Sequence, residues 1–268
     1  MKLRYFLEIS FNGGAYHGWQ MQKDAITVQQ VLSEYIGIQL GEPVKCEGCG
    51  RTDAGVHARK YLLHFDSEHQ LTADFTGKLN SFLPADIRVN KIYRNLKKIH
   101  ARWDALSRTY EYVISKGKDP FRQGLATVSY ESFDIGLMNE ACRLLMKYED
   151  FTTFSKTKGS QKSALCKIIY AQWTEDSQSY VFRITANRFL RGMVRLLVGT
   201  LLQVGSGKIS PEEFEAIIGA RDRKLSGKSV AACGLYFTDV KFPDGFLKEL
   251  KSGLSKSAKK SDESQDTL

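Results

Sequence analysis

The chemistry of this chain concentrates in the stretch GCGRTDAGVHA, Gly48 to Ala58, where Arg51, Asp53 and His57 are set among residues with little or no side chain. Glycines and Ala54 leave the backbone open, so a partner molecule can come close to the Asp53 carboxylate, a group able to act as nucleophile or base. The stretch follows an expected strand, a position where loops carry function. Taken alone, it also fits a turn in which Asp53 caps a helix or bonds its own backbone.

A second set lies in ANRFLRGMVRLLVGTLL. The spacing predicts a helix from Arg188, with Leu190, Met193, Val194, Leu197 and Leu201 forming a buried stripe. Arg188, Arg191 and Arg195 then share the opposite face, and Gly192 and Gly199 thin the helix beside them. Such a face suits a phosphate backbone or an acidic side chain, although a solvated helix surface has the same spacing. The third set, KKIHARWDALSRTYEYVI, strings Lys97, Lys98, His100, Arg102 and Arg108 with Trp103, Tyr110 and Tyr112. Cations mixed with aromatics are the composition of single-stranded RNA recognition. Tyr110 and Tyr112 share one strand face, and Tyr112 is expected to be sheet packing.

The five cysteines, Cys46, Cys49, Cys142, Cys166 and Cys233, point by their odd number to a reducing cytoplasm. Cys46 and Cys49 form a lone CxxC on an expected strand, Pro43 to Gly50, which would put them on opposite faces. No second CxxC or His pair follows at zinc spacing, so no metal site is expected. Net charge is +9, of which the tail from Lys251, with four lysines against three acids, accounts for only +1. A basic body suits nucleic acid, an anionic membrane or acidic partners, and does not choose among them.

The elements that must position these residues read as strand Lys2–Ser10, helix Thr27–Leu40, strand Pro43–Gly50, strand Lys60–Ser67, helix Ala73–Phe82 and strand Ile87–Lys97. From Arg108 the order recurs: strand RTYEYVIS, helix Asp134–Tyr148, strands CKIIYAQW and SYVFRITA, the helix from Arg188, the capped helix SPEEFEAIIGA and strand GLYFTDVKF. The expectation is an α+β protein: two ferredoxin-like β-α-β-β-α-β units, one extra helix in the second, joined into an extended sheet with helices on one side and a central basic cleft. The halves are expected at 1–105 and 106–250. The apolar-polar alternation at the start reads as a strand rather than a leader, no membrane-spanning run is present, and 251–268 is expected to be disordered.

The three sets together resemble the bacterial tRNA pseudouridine synthase A family. Matches run from YHGWQ (Tyr16 to Gln20) and TVQ (Thr27 to Gln29) through GRTDAGVHA, LPADIRV, HAR, RTYEY, DFTTF and NRFLRGMVR to GLYFTDV, covering nearly all of the chain but its tail. The resemblance implies that Asp53 is the catalytic aspartate, that Arg51 meets the flipped nucleotide and its neighbours, that Tyr110 packs on the target uracil and that Arg195 pairs with Asp53. It also implies RNA contacts at His100, Ala101 and Arg102, to which the arginine face adds Arg188 and Arg191. The substrate implied is the tRNA anticodon arm, at uridines 38, 39 and 40, modified by a cytoplasmic homodimer without a cofactor.

Three positions depart from the family pattern: Glu149 for a histidine, Lys167 for an arginine and Ala231 for a proline. The first two lie near a loop, Ser155 to Ser163, expected to approach RNA. Two rival readings use the same residues: a non-catalytic RNA-binding module, which would not need Asp53, Tyr110 and Arg195 together, and a pseudouridine synthase aimed at a different RNA. Redox or metal chemistry at Cys46 and Cys49 is a third. His57 is read as structural.

Overall fold

In the computed structural model, which describes residues 2–95, 99–156 and 163–250, a ten-stranded mixed sheet runs through both halves of the chain. Lys97, Lys98, all but the ends of the loop Ser155 to Ser163 and the tail from Lys251 lie outside the described residues. The first half supplies β1 (Leu3–Phe11), α1 (Val28–Leu40), β2 (Glu47–Gly48), β3 (His57–Ser67), α2 (Asp74–Asn80) and β4 (Ile87–Asn95). The second supplies β5 (Ser107–Ser115), β6 (Thr127–Val128), α3 (Ile135–Leu145), β7 (Ile168–Glu175), β8 (Ser179–Ala186), α4 (Met193–Gly205), α5 (Pro211–Gly219) and β9 (Leu235–Lys241), and β10 (Leu247–Glu249) follows.

Both halves repeat one strand order. In the first, β1 lies between β4 and β3, with β2 outside β3; in the second, β5 lies between β9 and β8, with β7 outside β8. All these pairings are antiparallel, as expected of a doubled β-α-β-β-α-β unit. Local chemistry sets the helix limits. Thr27 caps α1 by accepting from the Gln30 N–H at 3.3 Å, Gly41 ends it in the left-handed conformation, and Ser210 and Glu213 close a capping box on α5.

The strand expected at Pro43–Gly50 forms only over Glu47–Gly48, and this shortness joins the halves. Glu47 and Gly48 pair with His64 and Leu63 at the far part of β3, which leaves the start of β3 free. There β9 enters in parallel, setting His57 opposite Tyr236 and Ala58 opposite Phe237. A file of aromatic rings crosses the join: Trp19 on Tyr61 at 4.4 Å, then Tyr61–Phe237, Phe237–Tyr110 and Tyr110–Phe189, each at 5.1 Å.

Two further features depart from the sequence reading. The helix expected from Arg188 starts at Met193, because Gly192 sits at φ 71° in the left-handed region and closes off helical hydrogen bonding on its N-terminal side. The apolar spacing continued through the break because Leu190 is buried although it is not helical. β10 was not anticipated: it returns to the outer edge of β4, pairing Leu247 with Asn95 and Glu249 with Tyr93, after Phe242 packs edge-on against Phe6. Among the described residues no helix is long and apolar enough to cross a membrane.

Candidate active site

Asp53 lies in the loop between β2 and β3, beside the join of the two halves, and the loop is held from several sides. Trp19 donates its N–H to the Thr52 carbonyl at 3.3 Å, Gly55 donates to Tyr16 O at 3.2 Å, and Val56 donates back to Asp53 O at 3.2 Å. The approach of the Tyr16–Gln20 segment requires Gly18: its φ is +85°, and a Cβ there would stand 2.4 Å from the Thr52 carbonyl oxygen. The Tyr61 hydroxyl bonds the Gly50 carbonyl from beneath. The YHGWQ motif is thus a clamp on the aspartate loop.

His57 completes this anchoring. Its Nδ1 accepts the Gly13 N–H at 3.0 Å, so Nε2 carries the proton and faces the carbonyls of Gly124 and Cys233, each at 3.1 Å. Burial lowers its pKa, which keeps the ring neutral. Both ring nitrogens are engaged with backbone.

Arg195, on α4, brings its Nη1 to 3.3 Å from Asp53 Oδ2. Its side chain is 16 % exposed and that of Asp53 30 %, so the pair is partly exposed rather than sealed in the core. Arg195 is fixed by Val230: Nε donates to the Val230 carbonyl at 2.7 Å, and Val230 N–H donates to the Arg195 carbonyl at 3.2 Å. The crossing of that segment over α4 depends on Gly199, where a Cβ would lie 1.9 Å from Lys228 O. Gly199 therefore thins the helix for a neighbouring chain segment.

Tyr110, on β5, is almost wholly buried, with Phe189 and Phe237 edge-on to its ring. Burial, with Cys49 and Asp53 nearby, raises its pKa, so the phenol keeps its proton. Phe189, which sequence reasoning passed over, belongs to this wall; its signal was its place between Arg188 and Arg191 in the NRFLR motif.

The expected helical arginine row does not exist. Arg188 and Arg191 precede α4 in an irregular, exposed segment, and only Arg195 is helical. The residues still converge by another route. Burial, followed by the charges of Arg51, Arg108 and Arg188, lowers the pKa of Arg102, which places four guanidiniums in one field. None of these four has a carboxylate within ion-pair distance among the described residues. Arg191 lies on the side of Lys156, whose N–H donates to the Arg191 carbonyl at 3.0 Å. The Lys156 pKa is lowered by burial and then by Arg195, while Asp53 opposes the shift.

Arg108, noted in the sequence without a role, is a strut. Its guanidinium donates to Cys49 O from Nε and Nη2 at 3.2 Å, to Ala105 O at 2.8 Å, to Asn187 O at 2.7 Å and to Arg102 O. It thereby ties the aspartate loop, the segment His100–Arg102 and the approach to Arg188 into one body. His100 is half-buried, and its Nδ1 accepts the Arg102 N–H at 3.0 Å. Ala101, expected among the RNA contacts, is fully buried with its N–H on His64 Nδ1 at 3.1 Å, so it seats the segment.

Cys46 and Cys49 are both fully buried, and burial raises each thiol to about 12, which leaves no thiolate near neutral pH. Of the departures, Ala231 sits at φ −57°, a value proline shares, and its carbonyl accepts from Tyr112 Oη at 2.9 Å, as a proline carbonyl would. Glu149 and Lys167 are exposed. The arrangement offers a carboxylate beside a fixed arginine, an aromatic wall and a set of arginines without carboxylate partners among the described residues.

A family model described as tRNA pseudouridine synthase matches residues 141–243. Over 243 residues the chain is 44% identical to the tRNA pseudouridine synthase A of Parabacteroides distasonis, covering 90% of this chain and 96% of that protein. The protein of the same name from Porphyromonas gingivalis is 44% identical over 250 residues, covering 91% and 99% of the two chains. That from Aliivibrio salmonicida is 36% identical over 246 residues, covering 90% and 93%.

Proposed function

The chain belongs to the tRNA pseudouridine synthase A family, and from that premise we propose that it isomerises uridine to pseudouridine at positions 38, 39 and 40 of the tRNA anticodon arm, with Asp53 as the catalytic carboxylate. The observation that carries the reading is the Asp53–Arg195 pair at 3.3 Å beside the Tyr110 wall. The reaction breaks the bond between C1′ and N1, turns the uracil, forms a bond between C1′ and C5, and exchanges the proton lost from C5 for one gained at N1. Atoms and electrons balance within the nucleotide.

A carboxylate serves this reaction either at the ribose, by attack or proton removal, or by adding to C6 of the base, and both routes need it ionised. Arg195 sets a positive charge against that carboxylate, and an arginine's charge survives desolvation where a lysine's would be less secure. Tyr110 supplies a flat surface that holds detached uracil while leaving in-plane rotation free. Because its phenol keeps its proton, Tyr110 can serve the final loss of the C5 proton only as a relay that passes its own proton on as it accepts the one from C5, and Tyr110→Phe with full turnover would remove that role.

The target base must leave its stack, which costs on the order of a few kcal/mol. Arg51, exposed at the rim and donating from Nε to Gln20 Oε1 at 3.1 Å, offsets this by holding the displaced strand together with Arg102 and Arg188. His100 and Arg191 extend the same rim, and Ala101 acts by seating it. The protein works as a cytoplasmic homodimer, and light scattering at twice the monomer mass checks the assembly.

The test is to incubate the protein with transcribed tRNAs and map pseudouridine at single-nucleotide resolution, with Asp53→Asn alongside. Product at 38 to 40 from the wild type and none from the variant is the expected result. Absence of product with the wild type, or residual product from a clean Asp53→Asn preparation, overturns it.

A further inference from the structure

Trp103 stands apart from the other tryptophans. Of the three tryptophans in the sequence, Trp19 and Trp173 are 2 % and 1 % exposed, whereas Trp103 is 71 % exposed. A large indole in water is not explained by packing, and its surroundings are not those of a stray surface residue. The Arg102 guanidinium lies over its ring at 4.6 Å, and the His100 ring stands 5.8 Å away, tilted by 37°. His100 in turn rests edge-on against buried His64 at 4.6 Å, and the segment is pinned by Ala101 N–H on His64 and by His100 N–H on Asp104 Oδ2 at 2.6 Å. The indole is thus backed and held in place while most of its surface faces solvent. Arg51, Arg108 and Arg188 lie within electrostatic reach of that Arg102 guanidinium, and Arg51 and Arg188, both exposed, have no carboxylate partners among the described residues.

We propose that Trp103 is a stacking platform for an unpaired RNA nucleobase outside the catalytic pocket, with Arg102 as its cationic backing and the exposed Arg51 and Arg188 holding phosphates of the same strand. The indole face takes any base, because every base has a π-face, so the platform selects for an unstacked nucleotide rather than for its identity. Charge complementarity favours a polyanion over a protein or lipid partner here: an exposed aromatic backed by one arginine, with further arginines in the same field, matches nucleic acid, and the presence of an unpaired base distinguishes a loop from a plain duplex. The platform thus selects among RNAs by presenting a second point of contact beyond the flipped uridine. This rests on the tRNA-modifying reading above, and its failure is separable from that of the reading.

The buried state of Trp19 and Trp173 makes the test direct, because intrinsic fluorescence accessible to a stacked base comes from Trp103. The full-length protein is titrated with an RNA stem-loop carrying the anticodon arm and with a blunt duplex of the same stem, while polarisation of labelled RNA reports binding separately. The expected result is quenching by the stem-loop that greatly exceeds quenching by the duplex and is lost in Trp103→Leu, with stem-loop affinity roughly 5- to 150-fold weaker in that variant and restored towards wild type in Trp103→Phe. Equal quenching by duplex and stem-loop, or Trp103→Leu binding the stem-loop as wild type does, overturns the platform. Circular dichroism and thermal melting of Trp103→Leu matching wild type tie the loss to the surface and not to folding. Product from the wild type alongside an unaffected Trp103→Leu leaves the catalytic reading standing and removes the platform; quenching without any product does the reverse.

Discussion

Asp53 and Arg195, 142 residues apart in sequence, meet at 3.3 Å, one from the loop leading into β3 and the other from the first turns of α4. Each is fixed by backbone rather than by the other: the aspartate loop by the Tyr16–Gln20 segment, and the arginine by both polar groups of Val230. A pair whose members are independently positioned can open to admit a substrate without the site losing its shape.

Arg195→Lys keeps a positive charge but loses the fork that reaches Val230 O and Asp53 together. Turnover under saturating tRNA is expected to fall about 10- to 100-fold, the range of one lost charge-assisted hydrogen bond, while tRNA affinity changes little. Single-turnover kinetics separate the two, and a loss confined to affinity would contradict the placement of Arg195 at the reacting carboxylate.

Gly18→Ala tests the clamp. A methyl group 2.4 Å from Thr52 O on a residue at φ +85° forces either the turn or the aspartate loop to move. The expected cost is about 1 to 3 kcal/mol of stability, read by urea unfolding, with a fall in turnover larger than the fall in tRNA binding.

Charge removal at the rim has a different signature. Arg102→Gln and Arg188→Gln are each expected to weaken tRNA binding and to reduce the slope of log affinity against log salt by roughly 0.7 to 0.9. Fluorescence polarisation across a salt series measures the slope. An unchanged slope in either variant places that arginine off the phosphate path.

The family and the meeting of Asp53 with Arg195 were legible in the sequence, and the rest of the geometry only in part. Asp53, Arg195 and Tyr110 stood in motifs whose residue types survive any error in element boundaries, and the doubled β-α-β-β-α-β order followed from periodicity. The arginine row failed because hydrophobic spacing cannot register one left-handed glycine; Gly192 breaks the helix while Leu190 keeps the apolar rhythm. Arg108 was indistinguishable from its basic neighbours, since its role lies in four carbonyls from three separate segments. β2 is read too long because strand propensity continues through Pro43–Gly50, whereas β9, which takes the rest of β3's edge, comes from the far end of the chain.

His64 gives the fold a pH dependence of known sign. Burial, then the charges of Arg4 and His100, lower its pKa to about 4, against Asp66 and Glu47, which act in the other direction. The unfolded imidazole takes its proton near pH 6.5, so stability is full above that value and falls as pH drops towards 4. Between pH 7 and pH 5 the expected loss from this residue is about 2 kcal/mol, and His64→Gln flattens that part of the profile in urea unfolding.

The return of β10 to the edge of β4 bears on biosynthesis. β1, β3 and β4 leave the ribosome within the first 95 residues, but the start of β3 gains its neighbour only with β9, and the outer edge of β4 only with β10. An emerging chain therefore carries Asp53 on a sheet with two open edges, prone to stray pairing, until its last described strands arrive to close both. Translation delivers the carboxylate early and its arginine late, so a prematurely ended chain holds the motif without the enzyme.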